Sequence, residues 1–340
     1  VNLIGEHTDY NQGLALPFAI TQHVCVRARG LDQPRIEVQA RDVGETESFP
    51  LDGPGPAGGW RDFVRGALGE LERTGTHLAG ARLEITGTVP LGAGLGSSAA
   101  FTVALVLALG GMRSRPPAGM EDRVALARLC SRIENDWVGA RTGLLDQLAC
   151  LLGREGHALR IDFRSLEVTP VPLELDGWRL VTIDSGEQHA NAASGYNQRR
   201  EECARACQLL GLESLREASP EDVGRLPAPL DRRVEHVLDA NARVDEAVQA
   251  LERGDLVELG RLLDAGQASL RERYEVSTPA VEAAVRRLKS AGAAGARLMG
   301  GGFGGHVLGL MPPGVAPPPD ALEVRPGPGA RVEETHLRAQ

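Results

Sequence analysis

The segment Pro90-Leu91-Gly92-Ala93-Gly94-Leu95-Gly96-Ser97-Ser98-Ala99-Ala100 constrains the fold of this chain more than any other. It follows an alternating run, Arg82 to Val89, whose period of two predicts a strand. It precedes Phe101 to Leu109, an apolar, alanine-rich stretch that predicts a buried helix. A glycine-rich turn that feeds a helix N-terminus is an anion site. Its free N–H groups and the positive end of the helix dipole both favour phosphate. Three phosphate-loop readings compete. A Walker A loop needs Gly-Lys-Ser/Thr, but the only lysine is Lys289, which excludes it and also a protein-kinase site. A dinucleotide fingerprint through Gly94, Gly96 and Ala99 wants an acidic residue about 20 positions on. The chain has Arg113-Ser114-Arg115-Pro116-Pro117 there. The third reading is a loop whose backbone amides cradle a nucleoside triphosphate, with Ser97 or Ser98 holding Mg²⁺. The bland alternative is a tight strand-helix turn, which would not need three glycines and two serines.

A second dense segment lies at the start. Gly5-Glu6-His7-Thr8-Asp9-Tyr10-Asn11 sits between apolar flanks, Val1-Leu3-Ile4 and Leu14-Ala15-Leu16-Pro17. Ionised carboxylates only accept hydrogen bonds, whereas His and Tyr can donate and accept. Such a set suits a ligand covered in hydroxyls, namely a sugar. The alternative is a strand-turn-strand with Asp9 and Asn11 as turn residues. A third cluster is Gly300-Gly301-Gly302-Phe303-Gly304-Gly305, flanked by expected strands Ala296–Met299 and His306–Met311. A two-strand turn needs about two residues, so this many glycines suggest close approach of backbone to a ligand.

Taken in order, the three segments resemble the motifs of the GHMP small-molecule kinases, and Glu6-His7-Thr8-Asp9-Tyr10-Asn11 resembles the galactokinase branch. The resemblance runs along nearly the whole chain. It implies an α+β, two-domain GHMP kinase fold: a mixed-sheet N-terminal domain over 1–174, and a helix-rich C-terminal domain with a small antiparallel sheet over 175–340. The active site is then expected in the cleft between them, with the last strands packing back on the N-terminal domain. It further implies ATP-dependent phosphorylation of D-galactose at its anomeric 1-hydroxyl, the entry step of galactose catabolism (the Leloir pathway). Kinases for related sugars (N-acetylgalactosamine, galacturonate, arabinose) and a non-catalytic galactose and ATP sensor are the alternatives. The intact Gly96-Ser97-Ser98-Ala99-Ala100 favours an enzyme over a sensor.

The resemblance also implies site residues. Glu6, His7, Asp9, Tyr196 and the Gly143 backbone would bind the sugar. Gly92, Ala93, Gly94, Leu95, Gly96, Ser97, Ser98 and Ala99 would cradle ATP, with Trp60 on a helix bordering the adenine. Ser98 and Glu134 would hold Mg²⁺. Asp146, in Gly143-Leu144-Leu145-Asp146-Gln147, would engage the reacting hydroxyl as base or orienting group; an N-cap for a helix starting at Gln147 is the alternative. Three positions depart from the galactokinase pattern, Met299 for a common Thr, Gly96 for a common Ser and Gln188 for a common basic residue. In galactokinases an arginine stands just before the residue equivalent to Val1. The natural N-terminus is therefore expected upstream, and the 340-residue chain as it stands is expected to turn over slowly.

Composition narrows the partners. A net charge of −9 argues against nucleic acid. The longest apolar run, Ala99 to Gly111, is too short to span a membrane. Five cysteines without a metal-ligand or paired spacing suggest a reducing, cytoplasmic setting. A monomer is the favoured state. Helices are expected over Trp60–Thr74 and Glu121–Val138, and almost continuously from Asn191 to Ala291 with breaks near Ser219-Pro220 and Pro227–Pro229. Further strands are expected at Ala158–Phe163, Trp178–Ser185, Leu322–Arg325 and Val332–Leu337.

Overall fold

The computed structural model describes residues 1–52, 55–77, 80–90, 94–112, 122–140, 142–187 and 192–333. Its strands are β1 (Leu14–Ala15), β2 (Val24–Leu31), β3 (Arg35–Ala40), β4 (Glu45–Pro50), β5 (Gly80–Gly87), β6 (His157–Asp162), β7 (Glu167–Pro172), β8 (Arg179–Asp184), β9 (Gly295–Leu298), β10 (His306–Met311) and β11 (Leu322–Val324). Its α-helices are α1 (Trp60–Arg73), α2 (Ser97–Gly111), α3 (Arg123–Arg132), α4 (Leu145–Leu152), α5 (Ala192–Leu210), α6 (Pro220–Val223), α7 (Leu230–Glu252), α8 (Leu256–Glu272) and α9 (Pro279–Ser290). They form two compact units, each assembled from separated stretches. One unit comprises Val1–Thr21, Pro90–Gly96 and Gly153–Pro328; the other comprises Gln22–Val89, Ser97–Leu152 and the described residues from Gly329 onward. The α+β class holds, and so does the pairing of one mixed sheet with a helix-rich, antiparallel part.

The second of these units carries the mixed sheet, in the order β2-β5-β3-β4. β3 runs parallel to β5 and the other pairs are antiparallel. Ile36, Val38, Leu83 and Ile85 alternate inward while Arg82 and Glu37 pair on the outer face. α2 packs against β2 and α1. It is apolar on every side, so it is buried on most of its length. α1 has no side-chain cap at Gly59; instead the carboxylate of Asp62 accepts from the N–H groups of Ala57 and Gly58 at 2.7 and 2.9 Å. A carboxylate suits the positive end of a helix.

The helical period over Glu121–Val138 resolves into two geometries. It is α through Arg132, and a π-helical segment follows over Ile133–Val138, closed by left-handed Gly139. Gly66 and Gly69 on α1 make room for this segment. A methyl on Gly66 would come within 2.9 Å of Trp137, and one on Gly69 within 2.4 Å. Buried Glu70 fixes the same face, accepting from Arg132 at 2.8 Å and from the Trp137 indole at 3.4 Å. The π-turn thus has a packing cause, and it carries Glu134.

In the other unit β8 and β10 lie at the centre of an antiparallel sheet ordered β11-β8-β10-β9. α8 and α9 cover it. Val181, Ile183, Leu288, Leu298 and Val307 form its core together with Val234 and Val237 from α7 and Tyr274 from the connection between α8 and α9. α9 has a strong start and stop: Thr278 caps Val281 N at 3.3 Å, Pro279 opens the helix, and Arg287 and Lys289 sit in the last turn. A second sheet, β1-β6-β7, is tied to α7, where Asn241 accepts from Leu14 N at 2.7 Å.

Several boundaries differ from the sequence expectations. α2 begins at Ser97, not Phe101, so both serines lie in its first turn. The helical stretch after 191 is also interrupted at Gly211–Ser214, Arg253–Asp255 and Arg273–Thr278. β7, which contains Pro170 and Pro172, was not among the expected strands. Its place at a sheet edge tolerates them. Val332 and Glu333 are not in a strand, and the rest of the expected Val332–Leu337 strand lies outside the described residues.

Candidate active site

The first motif is a compact turn with chemistry on one side and structure on the other. Thr8 donates through Oγ1 to the carbonyls of Gly5 and Leu14, at 3.0 and 2.7 Å. Its own carbonyl accepts from Asn11 N and Gly13 N, closing a single 3-10 turn over Asp9–Asn11. Asn11 Nδ2 donates to the His7 carbonyl at 2.8 Å. Asn11 is therefore a turn residue, as the bland reading had it. Glu6 and His7 are not needed for that turn, and His7 sits at φ 59°, a left-handed conformation that non-glycine residues adopt at a cost.

Glu6 and His7 are both buried. Glu6 accepts from Asn2 Nδ2 at 2.7 Å and is ion-paired with Arg297. Burial raises the Glu6 carboxyl above its ordinary value, while Arg297 and Arg243 pull it back. Arg297 is fully buried and donates to Leu3 O at 2.8 Å, Leu298 O at 2.7 Å and Asn2 O. It thus ties the first motif to β9, the strand that leads into the third glycine cluster. His236 on α7 supports the motif as well, with its Nε2 3.2 Å from the Glu6 carbonyl and its Nδ1 2.8 Å from Ser269 Oγ. Because that carbonyl can only accept, His236 carries its proton on Nε2.

Around His7 stand three tyrosine rings. The ring centroids of Tyr274 and Tyr196 lie 4.6 and 5.4 Å from the imidazole, and Tyr10 hydroxyl is 2.9 Å from Nδ1. Desolvation first, and the nearby Arg199 charge second, lower the imidazole to about 3, so it is neutral at pH 7. Tyr196 comes from α5 and is half-buried, as is Asp9. The structure therefore brings Glu6, His7 and Tyr196 together, with Asp9 on the adjoining 3-10 turn.

The third glycine cluster is the connection between β9 and β10. Its close backbone approaches are to the protein itself. A methyl on Gly301 would lie 2.9 Å from the Tyr196 ring, and one on Gly302 2.6 Å from Val276. Phe303 N donates to Val276 O at 2.7 Å. The glycines are there so that the loop can lie flat on Tyr196 and Val276. At Gly301 and Gly302 the close approach is to Tyr196 and Val276, while Gly300 and Gly305 face open space.

The same unit holds Gly94, Leu95 and Gly96. Gly94 and Gly96 take φ of 64° and 72°, and Leu95 is buried. Gly92 and Ala93 lie outside the described residues.

The other unit holds the serine helix and the carboxylates. Ser97 and Ser98 open α2, with Ser98 exposed, Ser97 half-buried and Ala99 buried. Glu134 is buried on the π-turn and accepts from Gln147 Nε2 at 2.7 Å. Its carboxyl is raised to about 7, chiefly by desolvation and further by the charge of Asp146, against lowering hydrogen bonds from Gln147, Thr142 and Thr102. Asp146 is half-buried in the first turn of α4, which starts at Leu145. It is thus one residue inside the helix and is not the N-cap of a helix starting at Gln147. Desolvation pushes its carboxyl above the usual range. Gly143 is half-buried just before this helix. Trp60, the first residue of α1, donates from its indole to Glu45 Oε2 at 2.9 Å.

No group of three or more His, Cys, Asp or Glu side chains able to hold a metal occurs among the described residues. The donor set around Glu134 still suits a hard divalent cation. The Glu134 carboxyl, raised in part by the charge of Asp146, offers oxygen ligands, Gln147 Oε1 is buried without a hydrogen-bond partner, and Ser98 is exposed at the start of α2. Mg²⁺ needs only one or two protein oxygens and keeps waters and substrate phosphates for the rest.

Residues 62–154 match the GHMP kinases N terminal domain, residues 247–324 the GHMP kinases C terminal domain, and residues 1–29 the galactokinase galactose-binding signature. The chain is 38% identical to a galactokinase of Thermotoga petrophila over 315 residues, covering 92% of this chain and 88% of that one. It is 40% identical to a galactokinase of Mycobacterium tuberculosis over 319 residues, covering 92% and 87%. The chain belongs to the galactokinase family of GHMP kinases. Its fold matches that of Lactococcus lactis galactokinase complexed with galactose, with a TM-score of 0.85, 29% identity, and coverage of 96% and 92%. A mevalonate kinase of Methanococcus jannaschii, 18% identical with a TM-score of 0.70, shares the fold. The residues that sequence reasoning missed are Arg297, His236 and Gln147. A lone arginine inside the apolar run Ala296–Met299 was a usable signal, since a buried guanidinium requires a buried carboxylate.

Proposed function

We propose that the protein transfers the γ-phosphoryl group of ATP to the anomeric 1-hydroxyl of D-galactose. The observation that carries this reading is the first motif. A segment matching a galactose-binding signature holds Glu6 and His7 buried, with hydrogen-bonding atoms of both kinds, beside Tyr196. In this reading Glu6, His7, Asp9, Tyr196 and the Gly143 backbone take the sugar hydroxyls. A misplaced hydroxyl would leave a buried partner unsatisfied, which is how such a site rejects an epimer.

Phosphoryl transfer asks the protein mainly for positioning and charge neutralisation. The amides from Gly92 through Ala99 and the dipole of α2 would hold the triphosphate, and Trp60 would border the base. Ser98 and Glu134 would hold Mg²⁺, which when bound offsets charge on the transferring phosphate. Asp146 would accept or orient the proton of the 1-hydroxyl. The raised carboxyls of Glu134 and Asp146 fit these roles, since perturbed carboxylates are typical of sites built to meet an added positive charge. The sugar motif and these carboxylates belong to the two separate packing units, and each unit supplies one part of the proposed chemistry.

Asp9→Ala tests the sugar half. Galactose binding should weaken by roughly 2–4 kcal/mol, as when a charged acceptor is lost from a hydroxyl. ATP affinity should be unchanged. Calorimetry that finds native galactose affinity in the folded variant would return the motif to a plain turn.

A further inference from the structure

His7 Nε2 is buried and has no hydrogen-bond partner among the described residues. Behind the ring runs a chain of polar atoms that the proposed reaction does not use. Nδ1 is 2.9 Å from Tyr10 Oη, Tyr10 Oη is 2.8 Å from Tyr274 Oη, and Tyr274 Oη is 3.2 Å from Cys203 Sγ. Asn11 Nδ2 closes the chain at 3.6 Å from the sulfur. Tyr274 and Cys203 are buried, so water does not compete along that end.

The direction of the chain follows from counting protons. The atom of Asn11 that meets the sulfur also meets the His7 carbonyl, which can only accept; it is therefore the amide nitrogen. The sulfur thus accepts on that side, and its own S–H faces the Tyr274 oxygen. From there each hydroxyl donates to the next: Tyr274 to Tyr10, and Tyr10 to Nδ1 of His7. The imidazole proton is then on Nε2. In the reverse direction the sulfur would accept twice, its S–H would be left over in the core, and Nε2 would present a bare lone pair.

We propose that Cys203, Tyr274 and Tyr10 are positioning residues that fix His7 as the Nε2–H tautomer, so that His7 meets its ligand as a hydrogen-bond donor. Its neighbours Glu6 and Asp9 offer acceptors only. The site would then read a sugar by one hydroxyl taken as acceptor and others taken as donors. Burial keeps the imidazole neutral at working pH, so this polarity persists. The ligand identity rests on the galactose reading above; the tautomer does not.

The test is nitrogen-15 NMR of the imidazoles in the free protein at neutral pH, with His7 assigned by the signals lost in His7→Gln. The expected result is a protonated Nε2 and a bare Nδ1 at His7. A protonated Nδ1 overturns the proposal, whatever the protein phosphorylates. Kinetics give the second reading. Tyr274→Phe cuts the chain and should raise the galactose KM on the order of tenfold, with little change in kcat and none in the ATP KM, and should mix the His7 tautomers. Cys203→Ser keeps a donor of similar size and should leave both tautomer and KM near native. Native tautomer and native galactose KM in folded Tyr274→Phe would overturn the relay. A native Nε2–H signal in a protein that does not bind galactose would support the relay and refute the galactose reading, so the two failures are distinguishable.

Discussion

Asp146→Asn should lower turnover by at least about a hundredfold while leaving ATP affinity near native. The side chain keeps its shape but can no longer take or direct a proton. A second effect separates this variant from a merely damaged one. Asp146 raises the Glu134 carboxyl, and removing its charge relieves that repulsion. The free variant should therefore be at least as stable as the parent. Loss of rate with preserved or increased stability is the signature of a group held in place for chemistry. Steady-state kinetics and thermal unfolding on the same sample check both parts. Near-native turnover would remove Asp146 from the mechanism, and a large loss of stability would make it structural.

Arg297→Met should destabilise the protein by about 3–5 kcal/mol, the range for breaking one side of a buried ion pair. The substitution leaves the Glu6 carboxylate buried without its main partner. It also strips donors from the carbonyls of Asn2, Leu3 and Leu298. Adding Glu6→Gln should recover part of the loss, because the unpaired charge is then gone while the carbonyls remain unserved. Urea unfolding with unchanged m-values checks this. A loss under about 1 kcal/mol would mean that the guanidinium is solvated, as surface pairs are, and does not tie the first motif to β9.

Arg297 also shows where sequence reasoning stops. The run Ala296–Met299 was legible as a strand, and the glycines after it as a tight connection. The arginine inside that strand could signal burial by its apolar neighbours, but it could not name its partner. Its partner stands 291 positions earlier, at Glu6, and no local pattern links them. Much of the frame was legible for the opposite reason. Arg82–Val89, the glycines and the apolar helix are consecutive, and an alternating run gives way at the loop to a continuously apolar one. The π-turn over Ile133–Val138 was not legible, because Ile133 and Trp137 are spaced as in an α-helix. Its cause lies in Gly66 and Gly69 on another helix. In the first motif the residue types announced polar recognition. The left-handed His7 and the tyrosine chain behind it come from packing against α5 and the Tyr274 segment, which sequence spacing does not reveal.

ADP release from MgATP across a panel of sugars, with the product identified by phosphorus NMR, decides whether the protein is a galactose 1-kinase. Turnover is expected with D-galactose, with a phosphate on its anomeric oxygen and strong discrimination against D-glucose, which differs at one hydroxyl. Release of ADP with glucose at a rate equal to that with galactose, or a product phosphorylated at another oxygen, would contradict it.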